Sequence, residues 1–328
     1  MARACLEFEK PFARLEEEIR ELEQDQRSRN VDHSAEIRSI RHNLVAMIRK
    51  TYDALTPWEI VQVARHPDRP QTADYIKAFV KDFKELRGDR LFRDDRAVVC
   101  GLGRIGGEKV AIVGHQKGRD TREKVACFFG CAHPEGYRKA LRVMRLAEKF
   151  GLPVVALIDT QGAYPGIGAE ERGIADSIAV NLREMTLLGV PIVGAIIGEG
   201  ASGGYLGIGV GDRLLMLEHA YCSVITPEGC AAILWRTAEK APEAAEALHL
   251  TAPHLKQYGV IDEIVPEPLG GAHRNPREMA TTLERRIGRH LRELKRIPLE
   301  ELLEERYQKI RSVGVAIEAP AGLPTPEP

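Results

Sequence analysis

Two glycine-rich stretches carry the residue types best suited to chemistry. The first is Asp159-Thr160-Gln161-Gly162-Ala163-Tyr164-Pro165-Gly166-Ile167-Gly168. The second is Gly198-Glu199-Gly200-Ala201-Ser202-Gly203-Gly204-Tyr205-Leu206-Gly207. Each follows a short apolar run of buried-strand type, Pro153–Asp159 and Pro191–Gly198. Loops at the C-terminal ends of parallel strands are where α/β proteins bind ligands. In the second stretch the glycines lead straight into a helix. Without Cβ atoms, a ligand oxygen can approach the backbone N–H groups there, and a helix N-terminus favours negative charge. The chemistry this permits is that of an oxyanion hole, which stabilises a thioester enolate or a tetrahedral intermediate. Loop glycines also serve close packing and sharp turns, and that reading stands beside the chemical one.

Other chemistries fit less well. Neither stretch fits GxGxxG followed by a suitable acidic residue, nor GxxxxGK[ST], which disfavours dinucleotide and Walker-type phosphate sites. Ser202 is a candidate nucleophile by type, but a serine at a helix start usually caps it. The basic stretch Lys117-Gly118-Arg119-Asp120-Thr121-Arg122-Glu123-Lys124 offers groups for cofactor phosphates, but its mixed charges equally describe a solvated loop. The six cysteines form no CxxC pair and no HExxH occurs, so no metal site is expected. Cys127 and Cys131 read as reduced, partly buried thiols.

The elements that must position these stretches follow from periodicity. Phe8, Phe12, Leu15, Ile19 and Leu22 share one helical face, and Ile37, Ile40, Leu44 and Ile48 form a second stripe after a break near 30–32. Thr56-Pro57-Trp58-Glu59 is a capping box with proline at the first helical position. Thr72 is predicted to open a helix with Ile76, Phe79, Val80, Phe83 and Leu86 inward and Gly88 as its stop. From Ala97 the grammar changes. Residues 97–105 and 108–115 form a hairpin about Gly106-Gly107. Helices at 135–150, 170–188, 203–210 and 227–235 then alternate with strands near 153–159, 191–198, 214–217, 222–225 and 259–265. That alternation implies parallel pairing covered on both faces. Two charged helices split at Pro298 fill 275–312, and the Pro-rich tail from Ala319 reads as disordered.

Of the 30 glycines in the 328-residue chain, 25 fall in 97–270, and the flanking segments are heavily charged. Four regions result: a helical region 1–96, an α/β core 97–270, C-terminal helices 271–318 and a tail 319–328. With 47 basic and 48 acidic residues, the balance of −1 argues against coating nucleic acid or an anionic membrane. No long uncharged apolar run is present, and the Glu-rich N-terminus is unlike a targeting segment, so a cytoplasmic protein is expected.

Several of these motifs, in order, carry a family resemblance. Lys117-Gly-Arg-Asp-Thr, His133-Pro-Glu-Gly-Tyr-Arg-Lys-Ala, IDTQGAYPGIGAEERG (158–173), GEGASGGYLGIGVGD (198–212) and SVITPEGCAAILW (223–235) resemble the carboxyltransferase α subunits of bacterial acetyl-CoA carboxylases. FEKPFARLEEEIREL (8–22) is similar to that family's opening helix, so the likeness runs from about 5 to 315. It implies a crotonase-like ββα spiral core with helical extensions at both ends. It further implies transfer of a carboxyl group from N1 of carboxybiotin, held on a biotin carboxyl carrier protein, to the methyl carbon of acetyl-CoA. The product is malonyl-CoA for fatty acid synthesis. The implied assembly is an α2β2 heterotetramer working with biotin carboxylase, with zinc only in the β subunit's four-Cys ribbon.

Released CO2 leaves a basic ureido nitrogen that takes the acetyl proton, so the protein supplies N–H donors rather than a strong base. The resemblance gives the oxyanion role to Gly203 and Gly204 and a second donor loop to Gly162–Gly166. Ala163, Tyr164, Ser202, Tyr205, Lys117 and Arg119 are the implied substrate-binding residues. The chain departs from the family pattern at Gln161, where proline is usual, and at Tyr205, where a small residue is common. Two other readings compete: a serine peptidase of the same superfamily, since 201–205 resembles the nucleophile stretch of signal-peptide peptidases, and a non-catalytic scaffold. Propionyl-CoA is the alternative acyl substrate.

Overall fold

The computed structural model describes residues 4–29 and 31–314. Helix α1 (Lys10–Arg29) packs antiparallel to α2 (Ser34–Tyr52) as a hairpin, followed by α3 (Pro57–Ala64) and α4 (Thr72–Phe79). The α3 capping box forms as its sequence requires: the Thr56 N–H donates to Glu59 Oε2 at 2.8 Å, and Glu59 N–H donates to Thr56 Oγ1 at 3.3 Å. The α1/α2 hairpin is pinned to the rest by Glu9. Its carboxylate accepts from Tyr52 Oη (2.8 Å) and the Leu6 N–H (3.1 Å), and it pairs with His273 (3.3 Å), which stacks on His66.

The strands are β1 (Lys81–Glu85), β2 (Val98–Ile105), β3 (Glu108–His115), β4 (Val154–Thr160), β5 (Ile192–Ala201), β6 (Arg213–Leu217), β7 (Tyr221–Ser223) and β8 (Glu263–Val265). The sheet order is β1-β2-β3-β4-β5-β6-β8, with β7 pairing the end of β5. The first three strands are antiparallel, and from β3 onward every pairing is parallel. Between them lie α5 (Thr121–Ala126), α6 (Pro134–Lys149), α7 (Ile167–Glu171), α8 (Ile174–Leu187) and α9 (Ser202–Gly209). Next come α10 (Pro227–Trp235), α11 (Ala241–Ala247), α12 (Ala252–Gln257), α13 (Pro276–Leu294) and α14 (Leu299–Arg311). Every residue of β4 and β5 is buried, as a parallel sheet covered on both faces demands. One continuous apolar core runs from Tyr75 on α4 through the sheet to Leu302 on α14. Among the described residues no helix is long and apolar enough to cross a membrane.

The structure corrects four local expectations. The helix from Thr72 ends at Phe79, not Gly88, and Lys81–Glu85 forms an edge strand. The reason lies on β2: a Cβ at Gly101 would meet the Phe83 ring at 2.5 Å, and one at Gly103 would meet Val80 Cγ1 at 2.5 Å. Those two glycines therefore open room for the strand's inward side chains. The helix expected over 170–188 is two helices, broken at Gly173, whose φ of +78° favours glycine. The basic stretch 117–124 is not all loop, because Asp120 caps α5 by accepting from the Glu123 N–H at 2.7 Å. The second glycine stretch is also not a loop. Strand β5 continues to Ala201 because Glu199–Ala201 pair with Tyr221–Ser223, and α9 begins at the next residue.

The C-terminal helices belong to the core through Arg306. Its guanidinium is fully buried, pairs with Asp212 at 2.7 and 2.9 Å and donates to the carbonyls of Met185, Leu188 and Val190. It thereby satisfies the carbonyls at the end of α8 that have no helical partner. The tail from Ala319 lies outside the described residues.

Candidate active site

The sheet brings the two glycine stretches together. Strands β4 and β5 are parallel neighbours, with a register irregularity between Ile158 and Thr160 that leaves Thr160 beside Gly200. Beyond them, the start of α9 lies on the 160–166 loop: a Cβ at Gly204 would sit 2.5 Å from the Gly162 carbonyl carbon and 2.9 Å from the Ala163 nitrogen. These neighbours are backbone, which cannot step aside, so this contact requires glycine at 204.

The donors of the two stretches differ. At α9 the N–H groups of Gly203 and Gly204 belong to the first turn, where a helix has no partners of its own, and no protein acceptor meets them among the described residues. In the loop, the Gly162 N–H donates to Thr160 Oγ1 (3.1 Å), whose hydroxyl donates back to the Gly162 carbonyl (2.8 Å). The Tyr164 N–H donates to the Ala132 carbonyl at 3.0 Å. Gly166 accepts from the Ala169 and Glu170 N–H groups at the start of α7, and a Cβ there would strike the Tyr164 ring at 2.4 Å. That ring stacks on His133 at 4.1 Å and meets Phe128 edge-on.

Ser202 is exposed and has φ +55°, uncommon outside glycine. It is the left-handed hinge between strand and helix, and Ala201 occupies the cap position expected for it. The basic groups beside this junction are committed elsewhere. Lys117 Nζ pairs with Asp159 Oδ1 (2.6 Å) and Glu199 Oε1 (2.5 Å). His115 is fully buried; its Nδ1 lies 3.4 Å from the Asp159 N–H, and burial, with Lys117 adding, drives its pKa down to about 3. A serine nucleophile needs a base in reach, and neither group provides one.

Two implied residues make their contacts elsewhere. Arg119 is exposed and pairs with Asp74 on α4. The Tyr205 ring turns to its own helix, where a Cβ at Gly209 would touch it at 2.3 Å, and borders an apolar cavity of about 520 Å³ with Leu182, Val260 and Ile310. Lys117 is partly buried, with its ammonium held by Asp159 and Glu199.

The charge network beneath the glycines was not foreseen. Glu199 Oε2 accepts from Arg65 Nε (2.7 Å) and Tyr221 Oη (2.5 Å), and Arg65 continues to Glu228 at 2.5 Å. Burial alone would raise the Glu199 carboxyl, but Lys117 and Arg65 outweigh it and bring it down to about 2. The available signal was the position of Asp159 and Glu199 at the ends of all-apolar strands, where a carboxylate must find a counter-charge. His66, His273 and Glu9 place three metal-type donor atoms within 4.8 Å of one another, but Glu9 already accepts from Tyr52 and Leu6 there.

The fold is α/β of the crotonase-like type. The β subunit of geranyl-CoA carboxylase from P. aeruginosa superposes with a TM-score of 0.55 at 18% identity, over 80% of this chain and 48% of that one. The family model "Acetyl co-enzyme A carboxylase carboxyltransferase-like" matches residues 5–314, and the chain belongs to this family. The chain is 53% identical to the acetyl-coenzyme A carboxylase carboxyl transferase subunit alpha of Rhodopirellula baltica, over 97% of this chain and 99% of that protein. It is 55% identical to the same subunit of Chromobacterium violaceum, over 94% and 96%. It is thus a carboxyltransferase α subunit.

Proposed function

We propose that the chain, with a β subunit completing an α2β2 assembly, moves a carboxyl group from carboxybiotin on a carrier protein to acetyl-CoA. The observation that carries this is the pair of unpartnered N–H groups at Gly203 and Gly204, seated on the Gly162–Ala163 backbone. They are fixed before any ligand arrives, so they stabilise developing negative charge without reorganisation. Transfer breaks the N1–carboxyl bond and forms the bond to the acetyl methyl carbon, while the methyl proton moves to N1. The charge that builds on a ureido or thioester oxygen along this course is what the two donors meet. No side-chain base is required, which accords with a neutral His115 and a paired Lys117.

The exposed apolar residues near this junction support a covering partner. Val224, one residue beyond the Ser223 that pairs with Ala201, is 80% exposed, and Ile233 and Leu234 on α10 are exposed as well. Burying such surface draws a partner subunit over the site and excludes water. The family's carrier protein and biotin carboxylase would then supply the carboxylated biotin, and zinc belongs to the β subunit. The test is reconstitution with a β subunit, followed by the reverse transfer from malonyl-CoA to free biotin. Transfer by the assembled pair supports the reading; an assembled pair without transfer overturns it.

A further inference from the structure

Lys117 sits where the ends of three strands meet. It follows β3 by two residues, Asp159 is the penultimate residue of β4, and Glu199 lies two residues before the end of β5. Its ammonium bridges the two carboxylates at 2.6 and 2.5 Å, and the Glu199 N–H donates to the same Asp159 Oδ1 at 3.0 Å. Asp159 stands three residues before Gly162, and Glu199 four before Gly203. One ammonium therefore fixes the spacing of the strand ends from which both glycine segments spring.

The surroundings are shaped for this bridge. A Cβ at Gly198 would lie 2.4 Å from Asp159 Oδ1, so glycine there admits the carboxylate. A Cβ at Gly130, where φ is +84°, would lie 2.9 Å from Lys117 Cγ. On the far side Arg65 and Tyr221 hold the second Glu199 oxygen, so the carboxylate has little freedom to turn. Buried ion pairs of this kind add little net stability, because desolvation offsets the attraction. A role in setting geometry accounts better for the glycines that make room for it.

We infer that Lys117 is a positioning residue for carboxyl transfer: by bridging Asp159 and Glu199 it sets the distance between the Gly203–Gly204 donors and the Gly162–Ala163 backbone. The inference rests on the proposed oxyanion role of those donors. It assigns Lys117 no contact with substrate.

The experiment uses the reconstituted α/β complex and the malonyl-CoA-to-biotin assay. Transfer by the wild-type complex is measured first, since its absence would reject the proposed function and not the bridge. Lys117→Met is expected to lower kcat by about 100-fold with KM changed less than about threefold, the cost of a small misplacement of reacting groups. Lys117→Arg, which keeps the charge and spans both carboxylates, is expected to recover to within about tenfold of wild type. Glu199→Gln serves where Lys117→Met does not fold. It retains the Lys117–Asp159 pair, and its kcat is expected to fall about tenfold. Amide hydrogen exchange on the folded Glu199→Gln complex should quicken at 160–166 and 202–207, and beyond them only around Arg65 and Tyr221, which share Glu199. A kcat per assembled complex within twofold of wild type in either variant, or exchange that quickens over the whole chain, would overturn the positioning role.

Discussion

The two glycine segments look alike in sequence and behave differently in the fold. At 198–204 the glycines are spent on a strand that runs without a loop into a helix, and the first-turn N–H groups are left without acceptors. At 160–166 two donors are taken, Gly162 by Thr160 and Tyr164 by Ala132, while the Ala163 and Gly166 N–H groups meet no acceptor among the described residues. The difference teaches that glycine content alone does not make an anion site. What matters is whether the fold leaves the N–H groups unpaired. The first segment presents two adjacent unpaired donors at a helix start, and the second also supplies the backbone on which that start rests.

The sharpest way to break this comparison is Gly204→Ala. The new Cβ has backbone at 2.5 Å and must push α9 off the loop. Carboxyl transfer by the assembled complex should fall about 10²–10³-fold, the usual cost of losing an oxyanion donor. Steady-state kinetics alongside gel filtration would separate this from lost assembly.

Thr160→Val removes the hydroxyl that engages Gly162 and keeps the side chain's shape. If the loop is a support, loosening it lowers kcat about tenfold. A rise in kcat would instead mean that the released Gly162 N–H is itself a donor to substrate.

Ser202→Ala deletes a hydroxyl that the proposed chemistry does not use. Transfer should fall by no more than about threefold, since the backbone donors stay in place. Loss of transfer beyond that, or a serine-dependent peptidase activity, would restore the nucleophile reading.

The smallest effect on turnover is that of pH between 7 and 9, where neither His115 nor Glu199 changes charge. Stability behaves differently below that range. His115 is held down to about 3 in the fold, so the unfolded chain binds its proton first and stability drops as pH falls below about 6.5. Glu199, depressed to about 2, adds a further loss as pH falls below about 4.5 toward 2. Denaturant titrations across pH 4 to 8 would check this; an unfolding midpoint constant down to pH 4 would contradict the buried, neutral His115.

The sequence made the local features legible. The Gly106-Gly107 hairpin, the Thr56 capping box and the alternating buried strands follow from rules acting within a few residues. The two glycine stretches were recognisable as the place where the chain could meet an anion. What escaped depended on residues distant in the chain. The run Ile76, Phe79, Val80, Phe83 and Leu86 has helical spacing, and only Gly101 and Gly103 on another strand reveal that its second half is extended. Arg306 looks like any surface charge on an amphipathic helix until Asp212 is placed beside it. Lys117 lies in a mixed-charge stretch that reads as solvated, yet its partners are 42 and 82 residues away and buried. Long-range charge pairing leaves no periodic trace, which is why the site's support was hidden while its donors were not.

The central claim is that the Gly203 and Gly204 N–H groups receive the developing charge. The most direct test is a structure of the α/β complex with biotin and an acyl-CoA bound. A ureido or thioester oxygen is expected about 2.7–3.1 Å from one of these two nitrogens. Both oxygens held by other residues, with those nitrogens facing only solvent, would contradict it.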